Sequence, residues 1–433
     1  MSTLHRRPRR IVVAGGGVAG LILATRLGCT LGATGRAEIT LVDRSPTHIW
    51  KPMLHTIAAG TWNIHQQQVQ YLTHARAHDF SYVPGELDGI DRAAQRIHLA
   101  PVRLEGETVA GARELSYDAL VLALGSSAND FGTPGVDEHC HRIDSQGQAD
   151  AFNSRLRAHV ARSFVNGNSI DVAIVGGGAT GVELATEMSR MVELAGGYGT
   201  QTGIRQRLRL TLLEGAPRIL NAFPEAVSTS AAAQLRALGI DVRTGVRVVA
   251  ADPEGFVLDG GERIEAALKV WAAGIRAASG IADCGLGLNP LGQVIATPSL
   301  LASGEDCIFA IGDCASLLPP GAPRPLPSTA QVANQQALHL ARHLPAWLSG
   351  EPLPPFNFRD LGSLVSLSDY NAFGTLGRFG FFPGGFVKGR FAQWSHALLY
   401  RSHQLSLHGP GRTALLWLAE WLNGLVNPKI RIS

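Results

Sequence analysis

The chain has 433 residues, of which 45% are hydrophobic and 50 are glycine, and its formal net charge is +3. A chain of this length is too long for one ordinary core, so we expect two to three domains. The glycine content is typical of a globular α/β protein with many tight turns. The small net charge argues against a nucleic-acid-binding protein.

The five cysteines are odd in number and widely scattered, which indicates a reducing compartment rather than a disulfide framework. The N-terminal stretch MSTLHRRPRR is basic, but no separate apolar region precedes the first predicted strand, so we expect no signal peptide. The sequence contains no run of about 18–20 apolar residues and therefore predicts no membrane-spanning helix.

The first predicted element is a strand, a tight turn and a helix, with the sequence IVVAGGGVAGLILA. Its glycines are spaced Gly15-x-Gly17-x-x-Gly20. In this pattern the first glycine makes the turn, the second lets backbone approach a pyrophosphate, and the third lets helix and strand pack closely. The next strand ends at Asp43, 23 residues after Gly20, close to the spacing of about 20 expected for a carboxylate that binds an adenosine ribose.

A second copy of this pattern, VAIVGGGATGVELA, follows a buried strand predicted in 117–129 and a connecting helix predicted in 144–164. Its glycines are Gly176, Gly178 and Gly181, with the same spacing as in the first copy. One such motif is weak evidence, but two copies, each after a strand-like run, predict two bound dinucleotides.

The identity of the second nucleotide depends on Glu214, which ends the strand LRLTLLEGAPRIL 33 residues after Gly181. We attribute the long spacing to LAGGYGTQTG, as a loop or a helix extension. A carboxylate at this strand end accepts hydrogen bonds from both free ribose hydroxyls and repels a 2′-phosphate, which favours NADH over NADPH. Arg218 lies four residues later and keeps NADPH open as an alternative.

Two later strands return the chain toward the first nucleotide domain. ALKVWAAGIRA (267–277) is the returning strand, and EDCIFAIGDCASL (305–317) closes on Gly312 and Asp313. This order of elements predicts that the second nucleotide domain is inserted into the first.

Three polar residues near predicted helix starts have both a structural and a chemical interpretation. Glu183 lies in the first turn of the second glycine-motif helix, where the helix dipole favours a carboxylate. Gln331 and Gln335 lie four apart on one face of a helix for which Ser328 or Thr329 is the expected N-cap. Amide groups can donate a hydrogen bond to a ligand carbonyl without being oxidised, whereas the structural alternative is a polar face on a surface helix.

The C-terminal segment combines apolar, aromatic and basic residues. From Phe391 to Ser433 the only acidic residue is Glu420, and three of the seven tryptophans occur there. Helical spacing places Ala414, Leu418, Trp421 and Leu425 on one face. These features predict helices that lie in a membrane surface, and the alternative is a helix pair that forms a dimer or caps the core.

Taken together, the chain resembles the two-dinucleotide flavoproteins of the glutathione-reductase-like superfamily, and more closely the type II NADH:quinone oxidoreductases. The resemblance rests on both glycine motifs, on VWAAGIRA and FAIGDCA, and above all on AQVANQ at 330–335. That hexapeptide fits the family's AQxAxQ quinone-site signature at every fixed position. The implied fold is α/β, with two Rossmann-like dinucleotide-binding domains, the second inserted in the first, and a C-terminal amphipathic helical membrane-binding region.

The resemblance, with the motif positions, divides the chain into four segments. We expect FAD binding in 1–165 and, together with the quinone-site helix, in 296–385. NADH binding is expected in 166–295 and membrane-anchoring helices in 386–433.

The resemblance also implies roles for single residues. FAD would occupy the first site, with Asp313 on its ribityl chain, and NADH the second. Glu183 would relay charge or protons near the nicotinamide and flavin, and Gln331 and Gln335 would contact the quinone. The other cofactor-binding residues that we expect are Arg44, Lys51, Val83, Ala123, Gly125, Gly312, Ala273 and Gly274.

Cysteine and metal chemistry are not indicated. The stretch 44–60, where disulfide reductases of this superfamily place a C-x4-C pair, contains no cysteine. Cys307 and Cys314 are expected to be small core residues, which also argues against a sulfide:quinone reductase. Cys140 lies between two histidines but lacks a cluster of ligand spacing, so we predict no metal site.

The implied activity is NADH:quinone oxidoreduction without proton pumping, in which NADH gives hydride to FAD and a membrane quinone receives two electrons. We expect a peripheral protein on the cytoplasmic face of a bacterial inner membrane, with a homodimer left open. The segment 358–374 is expected near the quinone; it carries Asp369 and Tyr370 but no lysine, which leaves the proton donor open. The alternatives are a soluble NADH-dependent reductase of another acceptor and an NADH-responsive flavoprotein that acts by partner binding.

Overall fold

The computed structural model describes residues 7–61, 68–104, 106–198, 204–282, 284–367, 371–376, 386–388 and 390–426. The helices are α1 Val18–Leu27, α2 Leu54–Ala59, α3 Tyr71–Ala77, α4 Val136–His139, α5 Gln146–Asn166, α6 Ala179–Tyr198, α7 Ile204–Arg207, α8 Glu225–Ala237, α9 Ala330–Trp347 and α10 Arg390–Val426.

The strands of the first half are β1 Arg9–Ala14, β2 Ala37–Asp43, β3 Thr47–His48, β4 Val69–Gln70, β5 Ser81–Pro84, β6 Leu87–Asp91, β7 Arg96–Leu99, β8 Val102–Leu104, β9 Glu107–Ala110, β10 Arg113–Ser116, β11 Ala119–Leu122, β12 Ser126–Ser127, β13 Ile170–Val175 and β14 Leu208–Glu214. The later strands are β15 Asp241–Thr244, β16 Val248–Ala251, β17 Gly255–Leu258, β18 Arg263–Glu265, β19 Leu268–Trp271, β20 Arg276–Ala277, β21 Val294–Ala296, β22 Ile308–Ala310, β23 Ala315–Leu317, β24 Gly362–Leu367, β25 Asn371–Leu376 and β26 Phe386–Lys388.

The chain divides into two compact units. The first consists of Met1–Trp50, Gln68–Ser127 and Ile275–Phe358, and the second of Lys51–Gln67, Ala128–Gly274 and Arg359–Ser433. The predicted insertion of the second nucleotide-binding domain into the first is therefore confirmed.

The bounds of the compact units differ from those of the four predicted segments. The chain leaves the first unit after β12 and re-enters it just before β20, and these two strands pair antiparallel. Helix α2 belongs to the second unit because it packs on α5 and α6. The predicted segments divide the chain by function rather than by packing, and their bounds stay a prediction.

The first unit is built on a five-stranded parallel sheet in the order β22-β11-β1-β2-β5. Strand β11 is buried throughout and β1 is buried over its last four residues, which explains their unbroken apolar runs. Helices α1 and α9 pack against each other. Because the strands are parallel, their carboxyl ends lie along one edge of the sheet, where ligands of such folds bind.

The second unit is built on a four-stranded parallel sheet in the order β15-β14-β13-β19. Helix α6 follows β13 and contacts α2, β14 and β24. Small antiparallel sheets complete the two units: β10-β7-β6 in the first, and β16-β17-β18 and β24-β25-β26 in the second.

The C-terminal helix α10 is bent at Gly409, which has φ +72° and precedes Pro410. Proline removes a backbone donor and cannot continue a regular helix, so α10 consists of two helical segments. Among the residues that the structure describes, no helix has both the length and the apolar content needed to cross a membrane.

Candidate functional site

The first glycine turn follows β1 at the carboxyl edge of its sheet. Gly15 has φ +103°, and a side chain there would overlap the carbonyl of Ala123. A Cβ atom at Gly20 would overlap the carbonyl of Gly15, whereas one at Gly17 would meet no atom within 4 Å. The three glycines therefore have the geometry expected of a turn, a close helix–strand approach and an open place for a pyrophosphate.

Asp43 connects the end of β2 to this turn. Its Oδ2 accepts a hydrogen bond from Gly16 N at 2.6 Å, and its Oδ1 accepts one from Ser45 N at 2.7 Å. Burial raises the pKa of the carboxyl, although both backbone donors act in the opposite direction. Asp43 thus lies beside the open Gly17, where the sequence predicts an adenosine ribose.

Two residues that the sequence analysis missed complete the first turn. Tyr71 Oη donates to Gly16 O at 2.6 Å, and His48 Nδ1 lies 2.9 Å from the same oxygen. Both side chains are buried. They reach Gly16 from β3 and α3, outside the glycine motif, so no local sequence signal marks them.

Asp313 lies in a short 3-10 helix after β22, at the same edge of the sheet. Its Oδ2 accepts a hydrogen bond from Ser126 Oγ at 2.8 Å. Gln293, another residue that the sequence analysis missed, donates through Nε2 to Asp313 O at 2.8 Å and to Ser328 Oγ at 3.1 Å. The structure brings Asp313 and Gly312 to the sheet edge that carries the first glycine turn.

Four further residues that are predicted to contact FAD lie on or next to three different strands. Ala123 and Gly125 follow β11, and Gly125 has φ +73°. Val83 on β5 pairs with Val42, next to Asp43, while the Arg44 guanidinium lies 3.1 Å from Glu86 Oε1 in an exposed ion pair.

Lys51 is the exception among the residues assigned to FAD. It belongs to the second compact unit, and its Nζ lies 3.7 Å from Asp144 Oδ1 in the same unit. Its predicted contact with FAD stays a prediction.

The second glycine turn repeats the geometry of the first. Gly176 has φ +113°, and a Cβ there would lie 2.6 Å from the carbonyl carbon of Ala272. A Cβ at Gly181 would overlap Gly176 O, while one at Gly178 would meet no atom within 4 Å. Glu214 Oε2 accepts from Gly177 N at 2.6 Å, and Oε1 accepts from Ala216 N at 2.7 Å.

Arg218 is bound within its own turn. Its guanidinium donates to Phe223 O at 2.8 Å and to Asn221 O at 3.0 Å. In this arrangement the guanidinium serves the 220–223 turn rather than a nucleotide phosphate. The selectivity of Glu214 for NADH stays a prediction.

Ala273 and Gly274 follow β19 at the carboxyl edge of the second sheet. Ala273 O accepts a hydrogen bond from Asn129 N at 3.2 Å, and Gly274 has φ +62°. Together with the Gly176 turn and Glu214, they line one edge of the four-stranded sheet.

Glu183 is buried on α6 within a polar cluster of the second unit. Its Oε2 lies 3.4 Å from His55 Nδ1, and its Oε1 accepts a hydrogen bond from Ser366 N at 3.0 Å. Glu187, one helical turn further along, is also buried and accepts from Thr61 Oγ1 at 2.5 Å.

The Glu183 carboxyl has a strongly altered acidity. Burial, together with the charge of Glu187, raises its pKa from 4.5 to about 8, against the opposing effect of the Ser366 N–H. A carboxyl in this state is largely protonated at neutral pH. Capping electrostatics alone does not describe it, since burial rather than the helix dipole dominates.

Helix α9 carries the two predicted quinone-site residues near its start. Thr329 is the N-cap and accepts from Val332 N at 3.3 Å, which confirms one of the two expected caps. Gln331 and Gln335 are partly exposed, whereas the neighbouring Gln336 is buried and accepts from Gly312 N at 2.7 Å through Oε1. Gln336, which the sequence analysis missed, joins α9 to the Asp313 segment.

The second segment of α10 presents an apolar surface. Its exposed apolar side chains include Leu415, Trp417, Leu418, Trp421 and Leu422. The acidic Glu420 forms an ion pair with Arg401 at 2.5 Å. Of the predicted face, Ala414, Leu418 and Trp421 are exposed, and the side chain of Leu425 lies outside the described residues.

The cysteines differ in burial: Cys314 is a buried core residue, as expected, whereas Cys307 is only partly buried against the core. All five are free, Cys314 is fully buried, and burial raises its pKa to about 11. Burial likewise raises the pKa of Cys140 to about 12. In the part of the chain that the structure describes, no cluster of three or more ligating side chains could hold a metal ion. Asp369 and Tyr370 lie outside the described residues.

Two glycine turns of this kind, one at the carboxyl edge of the parallel sheet in each unit, are typical of two-dinucleotide oxidoreductases. The family model of pyridine nucleotide-disulphide oxidoreductases matches residues 9–337. The type II NADH:quinone oxidoreductase of Haemophilus influenzae is 37% identical, over 98% of this chain and 100% of that protein. The enzyme of the same description from Staphylococcus aureus is 31% identical, over 84% of this chain and 89% of that protein.

Solved structures agree with this fold. NDH2 from Plasmodium falciparum in complex with NADH matches 98% of this chain and 100% of its own, with a TM-score of 0.82 and 18% identity. The sulfide:quinone oxidoreductase of Aquifex aeolicus matches 98% of this chain and 96% of its own, with a TM-score of 0.73 and 18% identity. The chain belongs to the pyridine nucleotide-disulphide oxidoreductases and to the type II NADH:quinone oxidoreductase family.

Proposed function

We propose that this chain is a peripheral membrane flavoenzyme that oxidises NADH and reduces a quinone without pumping ions. Each unit repeats one geometry, and this repetition supports the proposal most directly. A glycine turn at the carboxyl edge of a parallel sheet leaves one glycine open, and the acidic residue that ends the next strand bonds to the backbone of that turn. This geometry suits a dinucleotide in each unit.

FAD fits the first unit. Gly17 offers open space where a pyrophosphate would lie, at the N-terminus of α1, and the helix dipole favours negative charge there. Asp43 would bind the adenosine ribose, and Asp313 the ribityl chain. Bound there, FAD would supply the redox chemistry that passes two electrons from NADH to a quinone.

NADH fits the second unit by the same criteria. Gly178 is open to a pyrophosphate, and the Glu214 carboxylate retains lone pairs for two ribose hydroxyls beyond the bonds that it accepts from backbone. A 2′-phosphate placed there would be repelled by this charge.

Glu183 would hold a proton for quinone reduction. Its carboxyl is buried, its pKa is about 8, and His55 lies within reach to exchange the proton. A group that titrates near neutral pH is suited to proton transfer in both directions.

Gln331 and Gln335 would position the quinone. Both lie in the first two turns of α9 and share one of its faces, from which amide N–H groups can donate to a carbonyl. Gln336 fixes the distance from α9 to the Asp313 segment through its bond to Gly312 N.

The apolar surface of α10 would bind the membrane that carries the quinone. Exposed leucines and tryptophans on one helical segment, with the acidic Glu420 neutralised by Arg401, favour insertion into the lipid interface. We assign the protein to the cytoplasmic face of a bacterial inner membrane. A homodimer through the same surface would compete with lipid.

The test of the proposed function is purification from membranes, followed by separate measurement of the two half-reactions. We expect about one non-covalent FAD per chain, anaerobic reduction of that flavin by NADH, and its reoxidation by ubiquinone or menaquinone analogues. Folded protein that takes up no FAD, or reduced flavin that quinones reoxidise no faster than they do free flavin, would contradict the proposal. Replacing Leu418 and Trp421 together by serine should weaken vesicle binding and leave both half-reactions with water-soluble quinones intact.

A further inference from the structure

Phe131 is unusual in both its exposure and its backbone conformation. The residue is 64% exposed, and its φ is +53°, in the left-handed region that bulky side chains rarely adopt. Two leucines of the described chain, Leu220 and Leu300, also have positive φ, but both are buried. An exposed aromatic ring on a strained backbone gains nothing from the protein core, which points to a role in binding.

The turn that carries Phe131 is held rigidly. Phe131 N donates to Asn129 Oδ1 at 2.9 Å, and Gly132 N donates to Asp130 Oδ1 at 3.0 Å. The second carboxylate oxygen of Asp130 accepts from Arg142 at 2.6 Å. Trp271 Nε1 also donates to Asn129 O at 2.8 Å. These hydrogen bonds preorganise the position of the Phe131 ring for binding.

The ring lies at the edge of the second sheet where the nucleotide is expected. A Cβ added at Gly274 would overlap the Phe131 ring and lie 3.2 Å from Asn129 Cβ. On its other side the same segment contacts the glycine turn, since a Cβ at Gly176 would lie 2.8 Å from Ala273 N. Phe131 and the Gly176 turn therefore flank one short stretch of backbone.

Strand order decides which half of the nucleotide Phe131 faces. In the order β14-β13-β19, Glu214 ends β14 on one side of the glycine turn, and the Ala273 segment follows β19 on the other. Glu214 marks the adenosine ribose, and the pyrophosphate lies over the turn between them. The side occupied by Phe131 is thus the nicotinamide side.

We propose that Phe131 is a nicotinamide-binding residue, whose ring packs against the nicotinamide ring of NADH and orients it. This inference rests on the proposed function, because it assumes that the second unit binds NADH. Contacts between an aromatic ring and a flat heterocycle are worth enough to change affinity about three- to tenfold.

The test compares two ligands by calorimetry on the FAD-loaded enzyme. NAD⁺ contains the nicotinamide ring and ADP-ribose lacks it. We expect Phe131→Ala to weaken NAD⁺ binding about three- to tenfold and to change ADP-ribose binding less than twofold. Phe131→Tyr keeps the ring and should bind both ligands as the wild type does.

Two controls separate the ring from other effects. Phe131→Gly relieves the backbone strain while removing the ring, so it should lose NAD⁺ affinity as Phe131→Ala does. Val165→Ala removes an apolar side chain that is 83% exposed at the end of α5 and should change neither affinity.

Equal weakening of both ligands in Phe131→Ala would overturn the nicotinamide assignment, as would unchanged affinity for both. Wild-type affinity in Phe131→Gly would show that strain, not the ring, was responsible, and would overturn it as well. A wild-type enzyme that binds neither ligand would instead overturn the proposed function, and this inference with it.

Discussion

The two glycine turns share one plan but are closed by different means. In the first turn, Gly16 O is bound by the side chains of His48 and Tyr71, which come from separate elements and are buried. In the second turn, Gly177 O accepts a hydrogen bond from the backbone of Leu220 at 2.7 Å, and Arg218 holds the surrounding 220–223 segment together.

This difference matches the different use expected of the two sites. A turn closed by buried side chains of the core resists local opening, which suits a cofactor that stays bound through every turnover. A turn closed by the backbone of one short segment, which is exposed at Asn221 and Ala222, opens at lower cost, which suits a nucleotide that must enter and leave. The same glycine pattern can therefore bind either a cofactor that stays bound or a nucleotide that exchanges, depending on which groups hydrogen-bond to the carbonyl of the turn.

The largest expected effect comes from adding a side chain to the first glycine of each turn. Gly15→Val should abolish FAD retention, since the new Cβ would overlap the backbone of Ala123 on a φ that valine avoids. Gly176→Val should keep FAD and abolish flavin reduction by NADH. The FAD-to-protein absorbance ratio and anaerobic reduction measure these outcomes. In Gly176→Val, quinone should still reoxidise flavin reduced by dithionite, and loss of FAD from that variant would contradict the separation of the two sites.

The next effect is on stability and concerns Glu183 in the second unit. Because burial raises its folded-state pKa from 4.5 to about 8, the stabilisation from its proton is complete below about pH 4.5 and is lost as pH rises through about 8. Wild-type stability should therefore fall over this interval relative to Glu183→Gln, by on the order of a few kcal/mol. Calorimetric Tm values of the two proteins across this pH range measure the effect, and parallel curves would argue against a buried titrating carboxyl.

Gln331 on α9 allows a test of the predicted quinone site in the first unit. Gln331→Leu should leave flavin reduction by NADH nearly intact and slow reoxidation by quinone about ten- to a hundredfold, because the carbonyl loses a donor worth on the order of 1–3 kcal/mol as negative charge develops. Stopped-flow measurement of each half-reaction separates the two steps. Leu338→Ala, on an exposed position of the same helix, is the matched control. Slower reduction by NADH with normal reoxidation would place the quinone elsewhere.

The smallest effect concerns nucleotide choice in the second turn. Glu214→Gln should narrow the preference for NADH over NADPH by about tenfold, since repulsion of the 2′-phosphate disappears. It should not reverse the preference, because Arg218 remains bound to the carbonyls of Asn221 and Phe223. The ratio of kcat/KM for the two nucleotides is the measurement. A reversed preference that Arg218→Gln then removes would show that the guanidinium leaves its turn to bind the phosphate.

By itself the sequence determined the features that depend on local geometry. Each of these features is encoded in a short stretch of sequence: the glycine patterns, the acidic strand ends and the AQVANQ helix start. In the structure, Gly15, Asp43, Gly176 and Glu214 make the contacts that such turns require. The insertion of one nucleotide domain in the other followed from the order of these same elements.

Tertiary structure alone decided which distant side chains complete each site. His48 and Tyr71 contact the first turn from outside its motif. Gln336, whose contact with Gly312 N the sequence did not indicate, lies next to the two glutamines that match the signature. Glu183 became a buried acid only because α2 and β24 pack over α6 and bring His55 and Ser366 to its carboxyl. The acidity of a carboxyl group and the rigidity of a turn depend on burial and on long-range contacts. The spacing of neighbouring residues in the sequence does not encode either property.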